Sequence, residues 1–207
     1  MKVYGHPLST CTRKVLATLA EKGQKAEFEL VDILAGAGRA PEHLARQPFG
    51  QIPVLEDNGF MVYESRAICR YLDEVLPGEK VLPHDPKARA AVEQWISVET
   101  SNFTPTAMTI IVETVFSKMR GAEPDAAKVE AARQKLGTTL DIMEKQLSGN
   151  TFIAGAHFSL ADICFLPYIE YLFFGGQGDL ITSRPNVSAW WTRCSERPSW
   201  KIATGKN

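Results

Sequence analysis

The sequence predicts an α/β first part of order βαβ-ββα followed by an all-helical second part. Three observations carry this reading. Short strand-like runs alternate with an amphipathic helical run over the first third. An Asn58-Gly59 pair separates two further apolar runs. Beyond a proline-bearing stretch, apolar residues recur at spacings of three and four.

Lys2 to Tyr4 reads as a short strand ended by Gly5-His6-Pro7. Thr10 to Lys22 reads as a helix with Val15, Leu16, Leu19 and Ala20 on one face and Gly23 as its stop. Glu27 to Val31 is a second strand, with Phe28 and Leu30 expected inside and Val31 a further candidate for burial, and Gly36-Ala37-Gly38 is a loop. Ile52 to Leu55 and Phe60 to Val62 flank Asn58-Gly59, whose tolerance of positive φ suits a hairpin turn. A helix from Ser65 places Ile68, Tyr71, Leu72, Val75 and Leu76 on one face and ends at Pro77-Gly78. The expected division is therefore a first domain over 1–77, a linker over 78–86 and a helical domain over 87–207.

In the helical part, Met108, Ile111, Val112, Val115, Phe116 and Met119 repeat at three and four, as do Val129, Ala132, Leu136, Leu140, Met143 and Leu147. Ser159-Leu160-Ala161-Asp162 has the arrangement of a capping box, which explains Asp162 without chemistry. The helix it opens is apolar nearly all round, as a central buried helix should be, although Pro167 lies inside it. Pro185 to Cys194 forms a further helix expected to bury Val187, Trp190 and Trp191.

Composition narrows the function. With 207 residues, 44% of them hydrophobic and 23% charged, the chain can bury a substantial core. A formal net charge of -1 without a dense basic block argues against a nucleic-acid partner. Residues 160–174 are too few and too interrupted to span a bilayer, and Met1 to Pro7 lacks the apolar core of a secretion signal. Cys11, Cys69, Cys164 and Cys194 show neither a CxxC nor a metal-ligand spacing, so no metal is expected and reduced thiols in the cytoplasm are the simplest reading.

Three segments carry chemistry. Ser9-Thr10-Cys11-Thr12-Arg13 lies at a strand-to-helix turn, where free amides and a partial positive charge favour an anion such as a thiolate. Spacing alone favours a simple helix cap at Ser9, and the two roles are compatible. In Pro48-Phe49-Gly50-Gln51-Ile52-Pro53, a cis bond before Pro53 would turn the Ile52 backbone toward a peptide ligand. Glu64-Ser65-Arg66 opens a second helix, where a carboxylate could rest on Ser65 while Glu64 meets an ammonium group; taken alone, the segment reads as a simple helix cap.

Taken together, Gly5-His6-Pro7-Leu8-Ser9-Thr10, Pro48-Phe49-Gly50-Gln51-Ile52-Pro53, Leu55-Glu56-Asp57 and Glu64-Ser65-Arg66-Ala67-Ile68 closely resemble the phi-class glutathione transferases. The resemblance continues through Asn102-Phe103-Thr104-Pro105, Ser159-Leu160-Ala161-Asp162 and Arg184-Pro185-Asn186-Val187-Ser188-Ala189-Trp190-Trp191, in family order and spacing. It implies a thioredoxin-like first domain, an all-helical second domain and a homodimer, with Phe49 where the family often makes subunit contacts. It further implies glutathione as co-substrate and a small hydrophobic electrophile as its target, with organic hydroperoxides among the candidates. Ser9 falls at the catalytic serine, donating a hydrogen bond to the glutathione sulfur. Gln51, Ile52 and Pro53 would hold the middle of the tripeptide, and Glu64 and Ser65 its γ-glutamyl end. The family's His-Lys pair at the glycine end corresponds to Gly38-Arg39, leaving Arg39 to meet the glycine carboxylate. Gln47 replaces the usual asparagine before Pro-Phe-Gly. Leu8, Ile33, Leu34, Phe116 and Met119 are the expected electrophile cleft.

Two other readings remain open. Cys11 could act as the nucleophile of a thiol transferase, although it stands two residues beyond Ser9 and so on a different helix face. The same fold could instead serve as a ligand carrier without turnover.

Overall fold

The computed structural model describes residues 1–206. Its chain divides into two compact units, one comprising Met1–Leu82 together with the segment from Glu196 onward, the other Pro83–Ser195.

The first unit is built on a four-stranded sheet of order β2-β1-β3-β4, from β1 (Lys2–Gly5), β2 (Glu27–Leu30), β3 (Val54–Asp57) and β4 (Phe60–Tyr63). β1 runs parallel to β2 and antiparallel to β3, and β3 pairs antiparallel with β4. The β3–β4 turn places Asn58 at φ 50° and Gly59 at φ 86°, the two left-handed residues of a tight hairpin. Val3, Val54 and Leu55 are fully buried, with Ile68 and Leu72 also inside the unit. This is the thioredoxin-like half.

Two helices expected from the sequence, α1 (Thr10–Glu21) and α3 (Ser65–Val75), pack on each other. The buried face of α3 is rotated from the expected one. Ile68, Cys69, Leu72 and Asp73 are inside, whereas Val75 is exposed and Tyr71 half-buried. Asp73 turns inward because it satisfies three buried donors: Lys22 Nζ at 3.1 Å, Val81 N–H at 2.9 Å and Leu82 N–H at 3.1 Å. These bonds also hold residues 81 and 82 in the first unit. The same burial pushes the Cys69 thiol up to about 11, which makes it an inert core residue.

The second strand also departs from expectation. Phe28 is 40% and Leu30 60% exposed, because β2 is a sheet edge; Val31 just beyond it is buried. A short helix, α2 (Pro41–Arg46), follows a 3-10 turn at Ala37–Arg39 and was not legible as a periodic pattern, being shorter than two turns.

The second unit holds α4 (Pro86–Val98), α5 (Thr104–Ile111), α6 (Ala126–Leu147), α7 (Leu160–Phe174), the short α8 (Asp179–Thr182) and α9 (Pro185–Ser195). π-helical turns at Glu99–Phe103 and Val112–Ser117 lie on either side of α5. α6 buries Ala132, Leu136, Leu140, Met143 and Leu147, the stripe read from its spacing. α7 runs through Pro167 and is buried on nearly every side. Its first turn is the expected capping box. Asp162 there accepts from Ser159 N–H, Ser159 Oγ, Ile153 N–H and Trp190 Nε1 at 2.8–2.9 Å. Trp190 is fully buried; Trp191, expected inside, is only half-buried and stacks on Phe173.

The helical second part does not keep the whole C-terminal stretch. A final helix, α10 (Pro198–Thr204), packs on α1 in the first unit. Arg197 reaches Glu21 through two bonds of 2.8 Å, and Ser199 Oγ donates to the same carboxylate. Among the described residues no helix is long and apolar enough to cross a membrane.

Candidate active site

The sheet register gathers the site. Tyr4 stands opposite Val54, and Val54 opposite Tyr63. The segments after β1, before β3 and after β4 therefore leave the sheet at one end. Gly5 pairs with Leu30 in the parallel direction, so the chain after β2 leaves there too. Leu8 and Ser9, Ile33 to Arg39, Gln51 to Pro53, and Glu64-Ser65 are thus brought to one end of the sheet by topology alone.

Ser9 is the N-cap of α1, with extended backbone (φ -73°, ψ 127°). Its Oγ accepts the Thr12 N–H at 3.2 Å. The loop before it is held from within the first turn of α1. Arg13 Nε donates to the Pro7 carbonyl at 2.9 Å, and Ser9 N–H to the His6 carbonyl at 2.9 Å. Gly5 is required here, since a Cβ would lie 2.7 Å from Thr12 Oγ1. Ser9 is half-buried, its Oγ using acceptor capacity on the helix and retaining a hydroxyl proton to donate. Cys11, in the same turn, is a half-buried free thiol.

The segment before β3 is fixed by side chains of α2 and its C-cap. The Ile52-Pro53 bond is cis, and both residues are buried. Gln51, by contrast, is exposed. Its N–H donates to Gln47 Oε1 at 3.0 Å, and its carbonyl lies 2.8 Å from His43 Nε2. Gln47 and His43 are themselves 1% and 3% exposed. Gly50, at φ 69°, meets Gly38 backbone to backbone: a Cβ on Gly38 would lie 2.4 Å from the Gly50 carbonyl oxygen. That contact explains the residue standing where the resemblance called for histidine. No side chain fits at Gly38 while the two loops stay this close, and Arg39, exposed, is carried beside Gly50.

Glu64, between β4 and α3, has φ 71° and ψ 107°, a positive-φ backbone unusual for a residue with a side chain. Such conformations cost about 1–3 kcal/mol and gather at ligand sites. Glu64 is exposed, and its side chain does not cap α3. Ser65, the first residue of that helix, is buried. The start of α3 therefore carries no side-chain cap from its N-cap residue, whereas α1 is capped by its own serine.

The expected electrophile-cleft residues divide between the units. Leu8 (46% exposed), Ile33 (43%) and Leu34 (74%) lie on the first, where Asp32 Oδ1 holds the Leu34 and Ala35 N–H groups. Phe116 is half-buried against Tyr171 in the second, and Met119 there is exposed. Sequence reasoning missed His43 altogether and left Gln47 without a role; only the cluster of buried polar types beside Gly50-Gln51 could have signalled them.

Comparison with known proteins gives a consistent picture. Residues 1–74 match the family "Glutathione S-transferase, N-terminal domain", and residues 103–198 match "Glutathione S-transferase, C-terminal domain". The chain is 40% identical over 203 residues to glutathione S-transferase F10 of Arabidopsis thaliana, covering 97% of this chain and 94% of that one. Its fold is similar to the crystal structure of glutathione transferase F7 from Populus trichocarpa, with a TM-score of 0.94 and 39% identity over 100% and 99% of the two chains. It is also similar to glutathione S-transferase I from Mais in complex with an atrazine glutathione conjugate (TM-score 0.91, 32% identity, 99% and 97% covered).

Proposed function

Because this chain belongs to the glutathione S-transferase family, we propose that it transfers glutathione to small hydrophobic electrophiles, with Ser9 stabilising the attacking thiolate. The observation that carries the role of Ser9 is its hydrogen bonding. The Oγ accepts from Thr12 N–H, which fixes the side chain at the positive end of α1 and leaves the O–H to donate to a sulfur. A thiol of pKa about 8.5 is only a few per cent ionised at neutral pH, so a donor aimed at the anion raises the population of nucleophile. Ser9 accepts no proton. The thiol proton leaves to solvent, the sulfur lone pair forms the new S–C bond, and on a halide substrate the halide departs with its bonding electrons.

The remaining roles follow the electrostatics of the same sheet end. Gln51 and the Ile52 backbone bind the middle of the tripeptide. Ser65 and the uncapped start of α3 receive the γ-glutamyl carboxylate, and Glu64 its ammonium group. Arg39 meets the glycine carboxylate. On the first unit, the exposed Leu8, Ile33 and Leu34 supply apolar contact for the electrophile.

The reading extends to a homodimer. β4 is an edge strand; Met61 and Tyr63 lie on one of its faces with Phe49 (62% exposed) edge-on to Tyr63, and Phe60 (52%) is on the other face against Tyr71. A second copy covering the edge and the Phe49 face removes both an open edge and exposed aromatics. A cytoplasmic setting fits the cysteines at 11, 69, 164 and 194, none of which is joined in a disulfide.

The test is conjugation of glutathione to an activated aryl halide. Wild type turns over, and Ser9→Ala loses about 10²-fold in kcat, the usual effect of removing one donor to a reacting anion. Equal rates in the two proteins would take Ser9 out of the mechanism, and no turnover in either would favour a carrier.

A further inference from the structure

We propose that His43 is a positioning residue of the glutathione site: from inside the fold it sets the direction of the Ile52 N–H that meets the tripeptide. This rests on the glutathione reading above. Its basis is a pair of buried side chains acting on one exposed residue. The carbonyl oxygen of Gln51 can only accept, so His43 Nε2 carries the proton in the 2.8 Å bond between them. Gln47 Oε1 receives the Gln51 N–H from the preceding peptide at 3.0 Å. Gln51 is therefore held at both of its backbone groups, while its side chain remains on the surface.

The consequence for Ile52 follows from peptide geometry. The Gln51–Ile52 bond is trans, Ile52-Pro53 being the cis bond here, so the Gln51 C=O and the Ile52 N–H point in opposite directions across one rigid plane. Fixing the carbonyl on His43 fixes the Ile52 N–H on the far side. Loop flexibility would otherwise let this plane turn, since Gly50 precedes it at φ 69° and glycine restrains its neighbours little.

A second observation separates this role from ordinary packing. His43 is 3% exposed, and its other ring nitrogen, Nδ1, is buried without a hydrogen-bond partner among the described residues. An orphaned buried acceptor is a cost that an aromatic hydrocarbon at the same position would avoid. Were His43 there only to fill space, phenylalanine would serve the fold better. The histidine retains its cost because Nε2–H is used.

The experiment measures binding of S-methylglutathione, which cannot react, by titration calorimetry, with thermal unfolding of each protein alongside. His43→Phe is expected to unfold at the wild-type temperature or above it, yet to bind about 5- to 10-fold more weakly. In turnover it should raise KM for glutathione by a similar factor, leaving kcat and the KM of the electrophile within twofold. His43→Gln, whose amide supplies a donor again, should recover most of the affinity. Wild-type affinity in a folded His43→Phe overturns the proposal, as does a folded His43→Gln as weak as His43→Phe. If His43→Phe is unstable, the paired Gln47→Met and His43→Gln variants still decide: the proposal requires Gln47→Met to weaken binding and His43→Gln to preserve it. Failure of the wild type itself to bind S-methylglutathione would instead overturn the glutathione reading, and this inference with it.

Discussion

Two helices of this protein are capped by serine, and the two serines do different work. Ser159 opens α7 inside a closed arrangement, with its hydroxyl bonded to Asp162 Oδ2 at 2.9 Å and the residue 4% exposed. Ser9 opens α1 half-exposed, with Thr12 N–H bonded to its oxygen and no carboxylate three residues on, since residue 12 is threonine. The same capping chemistry yields a sealed core fixture in one place and an available hydroxyl in the other. What separates them is the N3 residue: the acid at 162 accepts the hydrogen bond of the Ser159 hydroxyl, and the threonine at 12 leaves the Ser9 hydroxyl available to donate elsewhere. A helix cap and a reactive-site donor are thus one local structure with different neighbours.

The comparison breaks most visibly at the acid. Asp162→Ala strips the partner from Ile153 N–H, Ser159 N–H and Trp190 Nε1 together, in the fully buried start of α7. Each unpaired buried donor costs about 1–3 kcal/mol, so a loss of about 4 kcal/mol is expected in urea unfolding. A loss below about 1 kcal/mol would mean that Asp162 is no hub. Ser159→Ala comes next. It removes one cap bond and one bond to Asp162, about 2 kcal/mol together, and should leave affinity for glutathione unchanged. Weakened binding in this variant would deny that the α7 cap is purely structural. Ser9→Ala should cost the fold only about 1 kcal/mol, the value of a single cap bond, although it removes the proposed thiolate donor. Unfolding of Ser9→Ala by several kcal/mol would make Ser9 a structural residue after all.

The same contrast explains what could be read from the residues. The capping box was legible because serine, acid and spacing lie within four positions, and so was the Asn58-Gly59 turn. Ser9 looked like a cap because locally it is one; only Gln51-Ile52-Pro53 and Glu64-Ser65, far along the chain, suggest more. The strand register joins those segments, and register is a long-range property. The inward turn of Asp73 depends on Lys22, fifty-one residues earlier, so the face of α3 could not come from periodicity alone. His43 and Gln47 escaped for the same reason: their partner is the backbone of Gln51, whose identity carries no signal. The edge position of β2 likewise left Phe28 and Leu30 outside despite an apolar pattern.

The smallest expected effect concerns the proton at the sealed cap. Burial pushes the Asp162 carboxyl above its ordinary value of 3.8, against the opposing pull of its Ile153, Trp190 and Ser159 donors. With the folded value raised, the folded state binds the proton more tightly than the unfolded chain. The resulting stabilisation is full below pH 3.8 and is lost as pH rises through the folded value. Asp162→Asn cannot titrate at this position. The difference in stability between wild type and Asp162→Asn, from urea midpoints across pH 3.5 to 7, should therefore shift against the wild type as pH rises. Only this slope matters, because the absolute cost of the amide is the same at every pH. A difference that moves in the wild type's favour with rising pH would show that the donors outweigh burial and that Asp162 is held as a carboxylate. The cap at α7 would then be an anion stabilised by N–H and O–H donors, the same physics proposed for the thiolate at Ser9.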